Sequence, residues 1–211
     1  NATMGCGENK YDLKFSVCEL LLGECRLSDA IISPEAVLID LIGSNTNLVA
    51  AEVALLNGQD NESQLKVLIK PILNDYDFII IDCPPSLNML TINAFTASDG
   101  ILIPMQCEYY ALEGLSSLLE TINKIKTTTN PKLDIFGILR TLYDSRNNLS
   151  NEVSLQLSQH FSDKLLKTII PRNVKLAEAP GFGQSIIDYD PASKGAVAHL
   201  ALADEIMQRT Q

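Results

Sequence analysis

Apolar residues fill four consecutive positions from Phe78 to Ile81, and the run ends abruptly in a carboxylate and two prolines, Asp82-Cys83-Pro84-Pro85. A stretch that is apolar at every position, rather than at every second one, predicts a strand covered on both faces, the central strand of a parallel α/β sheet. Proline donates nothing to a ladder, so Pro84 and Pro85 end the strand. They leave Asp82 at its carboxyl end, the edge at which open α/β sheets bind ligands. Upstream, helical spacing over Leu13–Leu22 runs up to Gly23, a candidate C-cap. Val37–Ile42 predicts a strand followed by a turn at 43–45, and Leu48–Leu56 and Ser63–Leu73 predict helices. Downstream, helices are predicted over Leu87–Thr96, Ala111–Lys126 and Asn151–Phe161, with strands over Gly100–Pro104, Leu133–Leu142 and Leu166–Ile170. An amphipathic helix over Ala192–Gln208 closes the pattern. Strands alternating with helices of this length imply right-handed βαβ units in an α/β fold: a doubly wound, mostly parallel sheet with helices on both faces. No repeat, low-complexity tract or Gly/Ser linker interrupts it, so residues 1–211 are expected to form one domain.

Composition narrows the function classes. The 211 residues suffice for one α/β domain with a real core. No apolar run approaches the ~20 residues of a membrane span, and no leader of the secretory type opens the chain, so it reads as soluble and cytoplasmic. Five scattered cysteines without a Cys-x-x-Cys pair speak against zinc or a disulfide framework. His160 and His199 lie in helix-like alternations that suit packing or surface better than catalysis. The net charge of −10 argues against a surface coated for nucleic acid. The balance is uneven, however. Residues 1–70 carry ten acidic and five basic side chains, whereas over 140–175 six basic residues face only Asp144, Glu152 and Asp163. A local basic face on an acidic body and a scattered solvated surface both meet that count.

Three expected strand ends carry polar chemistry. Asp82 has the form of a Walker B residue, a carboxylate that organises Mg²⁺ beside a nucleotide phosphate; the competing reading is a cap for the next helix. The second end, Ile103-Pro104-Met105-Gln106-Cys107-Glu108, closes an apolar strand with Gln106 and Glu108. In the third, Ile169-Ile170-Pro171-Arg172-Asn173, a proline can lie flat on a purine and an amide can pair with its edge. Three such ends along consecutive strands point to a nucleotide site.

These residues carry a resemblance. Phe78–Phe95, Pro104–Gly114, Leu142–Leu149 and above all Ile169–Gly183 resemble the ParA/Soj family, deviant Walker-type ATPases of the MinD/ParA superfamily that segregate bacterial chromosomes and plasmids. The opening Asn1-Ala2-Thr3 resembles the tail of that family's Asp-Pro-Gln-Gly-Asn-Ala-Thr segment. The resemblance implies that Asp82 holds Mg²⁺ through water, that Pro171 and Asn173 contact adenine with Gln106 nearby, and that Glu108 lies on a dimer face. It further implies that Arg146, Arg172 and Lys175 bind DNA without regard to sequence. Lysine where relatives commonly carry arginine keeps the charge and loses the bidentate fork. The implied cofactors are ATP and Mg²⁺. The implied partners are a second copy of the chain, DNA and a ParB-like protein that stimulates hydrolysis, on the nucleoid and not at a membrane.

One departure stands against activity of these residues alone: no Gly-x-x-x-x-Gly-Lys-[Ser/Thr] segment occurs. In the family that loop's amides cradle the phosphates and its lysine neutralises developing charge. The expectation is therefore an N-terminally truncated ATPase domain, lacking the first strand and the P-loop and inactive by itself. Two alternatives remain open: a MinD-like relative that positions another cargo or membrane site, and a nucleotide-free interaction module. The closing helix, with only Lys194 and Arg209, lacks the basic face of a membrane anchor. No Gly-x-Gly-x-x-Gly follows a strand, which leaves a dinucleotide-dependent dehydrogenase poorly supported, although that loop too could lie upstream.

Overall fold

The computed structural model describes residues 2–35, 37–58 and 61–210; Asn1, which opens the Asn-Ala-Thr segment, lies outside them. The chain divides into two compact units. The first holds the residues up to Asp99 together with Thr121–Leu133 and Phe182–Gln184. The second holds Gly100–Glu120, Asp134–Gly181 and the chain from Ser185 onward.

In the first unit, α1 (Ala2–Gly5), α2 (Val17–Leu21) and α3 (Leu27–Ala30) lead to β1 (Ile31–Ile32) and β2 (Leu41–Ile42), followed by α4 (Leu48–Asn57), α5 (Gln64–Ile69) and α6 (Met89–Ala97). The helix expected from Leu13 begins later because Ser16 caps it. The Cys18 N–H donates to the Ser16 hydroxyl, and the Ser16 N–H donates to Glu19 Oε2 at 2.8 Å, a reciprocal capping box. It ends at Gly23 as the sequence implies. Gly23 adopts φ 72, its N–H reaches Leu20 O at 3.2 Å, and the Glu24 N–H reaches Glu19 O at 2.9 Å, a Schellman closure. The helix expected over Ser63–Leu73 loses its α-helical form at Lys70–Ile72, where Pro71 supplies no N–H. Cys18, Leu21, Ala51 and Leu55 form the core, with Leu65, Leu68 and Met89 against it. Buried Asn93 ties the helices together, donating to Asn61 O and Met89 O and accepting the Leu65 N–H.

One expectation fails here. Phe78–Asp82 forms no ladder: Phe78 and Ile80 are 50% and 90% exposed rather than covered on both faces. An apolar run becomes a central strand only when strands lie along both its edges. Among the described residues, the ladder of this unit is the antiparallel pair of β1 with β2. Of the strand expected over Val37–Ile42, only Leu41 and Ile42 pair, with Ile32 and Ile31.

In the second unit, β3 (Gly100–Gln106), β4 (Asp134–Tyr143) and β5 (Leu165–Pro171) make a parallel sheet in that order. The helix α7 (Ala111–Thr128) follows β3, and its residues from Thr121 belong to the first unit. Next come α8 (Asn148–His160), then α9 (Val174–Glu178), α10 (Ile186–Tyr189) and α11 (Lys194–Thr210) after β5. Neighbouring positions of β4 face opposite sides, as strand geometry requires. Leu139 packs with Leu166, Ile170 and the α11 residues Ala198 and Leu202. Arg140, next along, donates to Ser154 Oγ of α8 at 2.9 Å and to Leu166 O at 2.9 Å. Helices therefore cover both faces of the sheet. Gly137 lets β4 and β5 approach: a Cβ there would stand 2.8 Å from a Leu166 methyl.

Candidate functional site

Parallel pairing puts three strand ends on one edge of the second unit's sheet: Gln106 ends β3, Tyr143 ends β4 and Pro171 ends β5. At the first, the Glu108 N–H bonds Gln106 O and the Ala111 N–H bonds Glu108 O, a tight passage into α7. The exposed side chains of Gln106 and Glu108 line an open hollow of about 600 Å³ with Tyr109, Tyr110, Asn147 and Leu149. The two tyrosines meet edge to face with centroids 5.1 Å apart.

At the second end, Leu142 takes φ 49, a left-handed conformation that a branched side chain rarely adopts. The next residue, Tyr143, accepts the Arg172 N–H at 3.0 Å and pairs in register with Pro171. Pro171 lines a second, mostly apolar hollow of about 520 Å³ with Tyr143, Val197 and Lys194. Asn173 caps α9: its Oδ1 accepts the Lys175 N–H at 2.8 Å. That bond fixes the amide through Oδ1, and Nδ2 is its donor group.

Two basic groupings stand on this unit. Asp144 Oδ1 accepts Arg146 Nε at 3.0 Å and the Arg146 N–H at 3.0 Å, while Oδ2 accepts Arg146 Nη2 at 2.8 Å. Hydrogen bonds from the Arg146 guanidinium and backbone, with the charges of Arg146 and Arg172 added, outweigh desolvation and hold the Asp144 carboxyl down to about 2. The Arg146 side chain is nonetheless 87% exposed. Lys175 belongs to a different cluster. Its ammonium pairs with Glu178 Oε2 at 3.0 Å and lies 5.5 Å from the Tyr189 ring centroid, while the Tyr189 hydroxyl donates to the same carboxylate. The bond to Glu178, followed by its charge, raises the Lys175 pKa. Arg146 is thus bound to Asp144, Arg172 adds only its charge to that carboxyl from the residue after β5, and Lys175 is paired elsewhere.

Asp82 belongs to the first unit. It sits exposed in the irregular stretch before α6, and its carboxylate makes no hydrogen bond or ion pair among the described residues. The cap of α6 is Asn88, whose Oδ1 accepts the Thr91 N–H at 3.1 Å. The helix-cap reading of Asp82 is thereby removed. No group of three or more His, Cys, Asp or Glu suited to a metal occurs among the described residues. A free carboxylate still fits Mg²⁺, which keeps several waters and takes one or two carboxylates beside phosphate oxygens.

Sequence reasoning missed Asp144 as the partner of Arg146 and the hollow-lining Tyr143, Tyr109, Tyr110 and Lys194. The Asp-x-Arg spacing was the available signal for the first, since an Asp side chain commonly bonds the backbone two residues on.

A family model described as an AAA domain matches residues 1–135. Over 206 residues the chain is 46% identical to the sporulation initiation inhibitor protein Soj of Bacillus subtilis, covering 98% of this chain and 81% of Soj. The chain belongs to the ParA/Soj family. The chromosome partitioning protein ParA of Myxococcus xanthus is 42% identical over 209 residues, 99% of this chain and 74% of ParA. Among solved structures, cobyrinic acid a,c-diamide synthase of Mycobacterium smegmatis superposes with a TM-score of 0.85 at 34% identity, over 99% of this chain and 78% of that one. The same synthase with an ATP analogue and magnesium gives 0.81 at 35%, over 96% and 75%. Membership in this family of partitioning ATPases agrees with the resemblance read from Ile169–Gly183, and the parallel sheet between helices agrees with the expected fold class.

Proposed function

We propose that the protein is a partition ATPase whose ATP-bound dimer holds DNA without regard to sequence and releases it when a ParB-like partner stimulates hydrolysis. The observation that carries this reading is the placement of Arg146 and Arg172 just beyond the ends of β4 and β5, on the same sheet edge as Gln106, Pro171 and Asn173. Pro171 would lie against the adenine ring and Asn173 Nδ2 would donate to the base edge, and Gln106 would reach the nucleotide from the end of β3 on the same sheet edge. Asp82 would hold Mg²⁺ through water; bound there, the ion neutralises phosphate charge. Glu108 would face the second subunit.

The net charge of −10 gives the body no general affinity for DNA, so the grip rests on local cations: Arg146, Arg172 and, more weakly, the tethered Lys175. A patch too sparse on one subunit becomes adequate when a dimer doubles it, which makes DNA binding answer to nucleotide. The working location that follows is the cytoplasm, on the nucleoid. A membrane-positioning role gains nothing from α11. Its Ala198 and Leu202 are packed on the sheet, and Arg209 reaches Leu165 O and pairs with Glu205. No helix among the described residues is long and apolar enough to cross a membrane.

Titration calorimetry with ATP, in Mg²⁺ and then in EDTA, tests the reading on the protein as its gene encodes it; anisotropy of a labelled random-sequence duplex follows. ATP affinity that needs Mg²⁺, and DNA retention that needs ATP, are expected. ATP affinity absent or indifferent to Mg²⁺ would overturn the assignment.

A further inference from the structure

Asp144 occupies the Nε/Nη2 edge of the Arg146 guanidinium in the two-bond geometry that arginine offers to phosphate. The carboxylate does not swing with the arginine, because the Arg146 backbone N–H also holds it at 3.0 Å and its side chain is only 26% exposed. Arg172 acts on the same carboxylate from the end of β5. Asp144 thereby offsets the charge of Arg146 where that side chain stands at the end of β4.

We propose that Asp144 is a built-in phosphate mimic that masks Arg146, an autoinhibitory contact that keeps DNA affinity of the single subunit low. The inference rests on the DNA-binding reading above. An approaching phosphate must displace the carboxylate from its edge of the fork or share the arginine with it. An exposed ion pair is weak enough for displacement, so the mask lowers affinity without abolishing it. The consequence is control: one subunit holds DNA poorly, and only the added charge of a second subunit makes the grip sufficient.

The test substitutes Asp144→Asn, which keeps the shape and the backbone-accepting oxygen and removes the charge. Binding of a random-sequence duplex is measured by anisotropy against salt, without nucleotide and with ATP, on wild type, D144N, R146A and the double variant D144N/R146A. Thermal melts on each confirm folding. Freeing one phosphate contact steepens the slope of log K against log salt by about 0.9, which near roughly 0.1 M salt is about an eightfold gain per subunit. D144N should show that gain even without nucleotide, and D144N/R146A should lose most of it. Equal or weaker binding by a folded D144N overturns the mask, and weaker binding would make Asp144 a positioning residue instead. A gain that survives in D144N/R146A also overturns it, since charge removal alone then explains the effect. If R146A binds as wild type does in the presence of ATP, the DNA-binding reading itself fails, a result distinct from failure of the mask.

Discussion

Glu205 of α11 accepts the backbone N–H groups of Lys167 at 2.9 Å and Thr168 at 2.8 Å, on the outer edge of β5. Arg209, one helical turn on, pairs with the same carboxylate at 3.1 Å and reaches Leu165 O at 3.2 Å. A side-chain fork from the closing helix thus supplies the bonds that a further strand would otherwise make, protecting an edge open to association. Burial pushes the Glu205 pKa up, but the bonds from Thr168 and Lys167 and the charge of Arg209 outweigh it, and the net shift is downward from 4.5. Because the folded value lies below the unfolded one, the stabilisation is whole above the ordinary glutamate range and is lost as pH falls through the folded value. Glu205→Ala should cost about 2 kcal/mol in urea denaturation at neutral pH, since it strands two backbone donors. Glu205→Gln should flatten the decline of stability below pH 4.5.

Gly23 tests local backbone conformation alone. Its φ is 72, and a Cβ built there meets nothing within 4 Å, so Gly23→Ala introduces left-handed strain without a clash. The expected loss is about 1 kcal/mol, read as an earlier thermal midpoint with unchanged nucleotide binding. Asparagine at the same position should recover part of it, because its side chain tolerates this region better.

Asp82 separates fold from function in the opposite sense. The carboxylate is exposed and makes no bond among the described residues, so Asp82→Ala should leave stability within about 0.5 kcal/mol. Under the proposed role, the same variant should lose Mg²⁺-dependent ATP affinity in calorimetry. Wild-type ATP affinity in Mg²⁺ would remove Asp82 from the nucleotide site.

Those three positions also mark what could be read from the chain. Gly23 was legible because a helix stop is a local signal carried by one residue type. The alternation beyond Gly100 was legible too, and β3, β4 and β5 fall where apolar runs predict them. Phe78–Asp82 was not, because a ladder belongs to a pair of segments and the pattern of one says nothing about whether its neighbour is in place. The cap bond of Asn173, the Asp144 fork around Arg146 and the Glu178 tether of Lys175 lay hidden for a related reason. Charge and amide groups are visible in sequence, while their partners depend on how short turns and helices such as α9 and α10 close.

Asn173 allows the proposed base contact to be separated from its structural duty. Its Oδ1 caps α9 through the Lys175 N–H, while its Nδ2 is the donor proposed to meet adenine. Asn173→Ala removes both and should cost about 1 kcal/mol of stability along with nucleotide affinity. Asn173→Ser retains a capping oxygen and lacks the amide donor, so stability should hold within a few tenths of a kcal/mol while ATP affinity falls about tenfold, the worth of one hydrogen bond. The fall should be specific to the base: a contact at the purine edge discriminates ATP from GTP, so the serine variant should bind the two more equally than wild type. If N173S keeps both its affinity and its preference, Asn173 is a helix cap and nothing more, and adenine recognition lies elsewhere on the sheet edge.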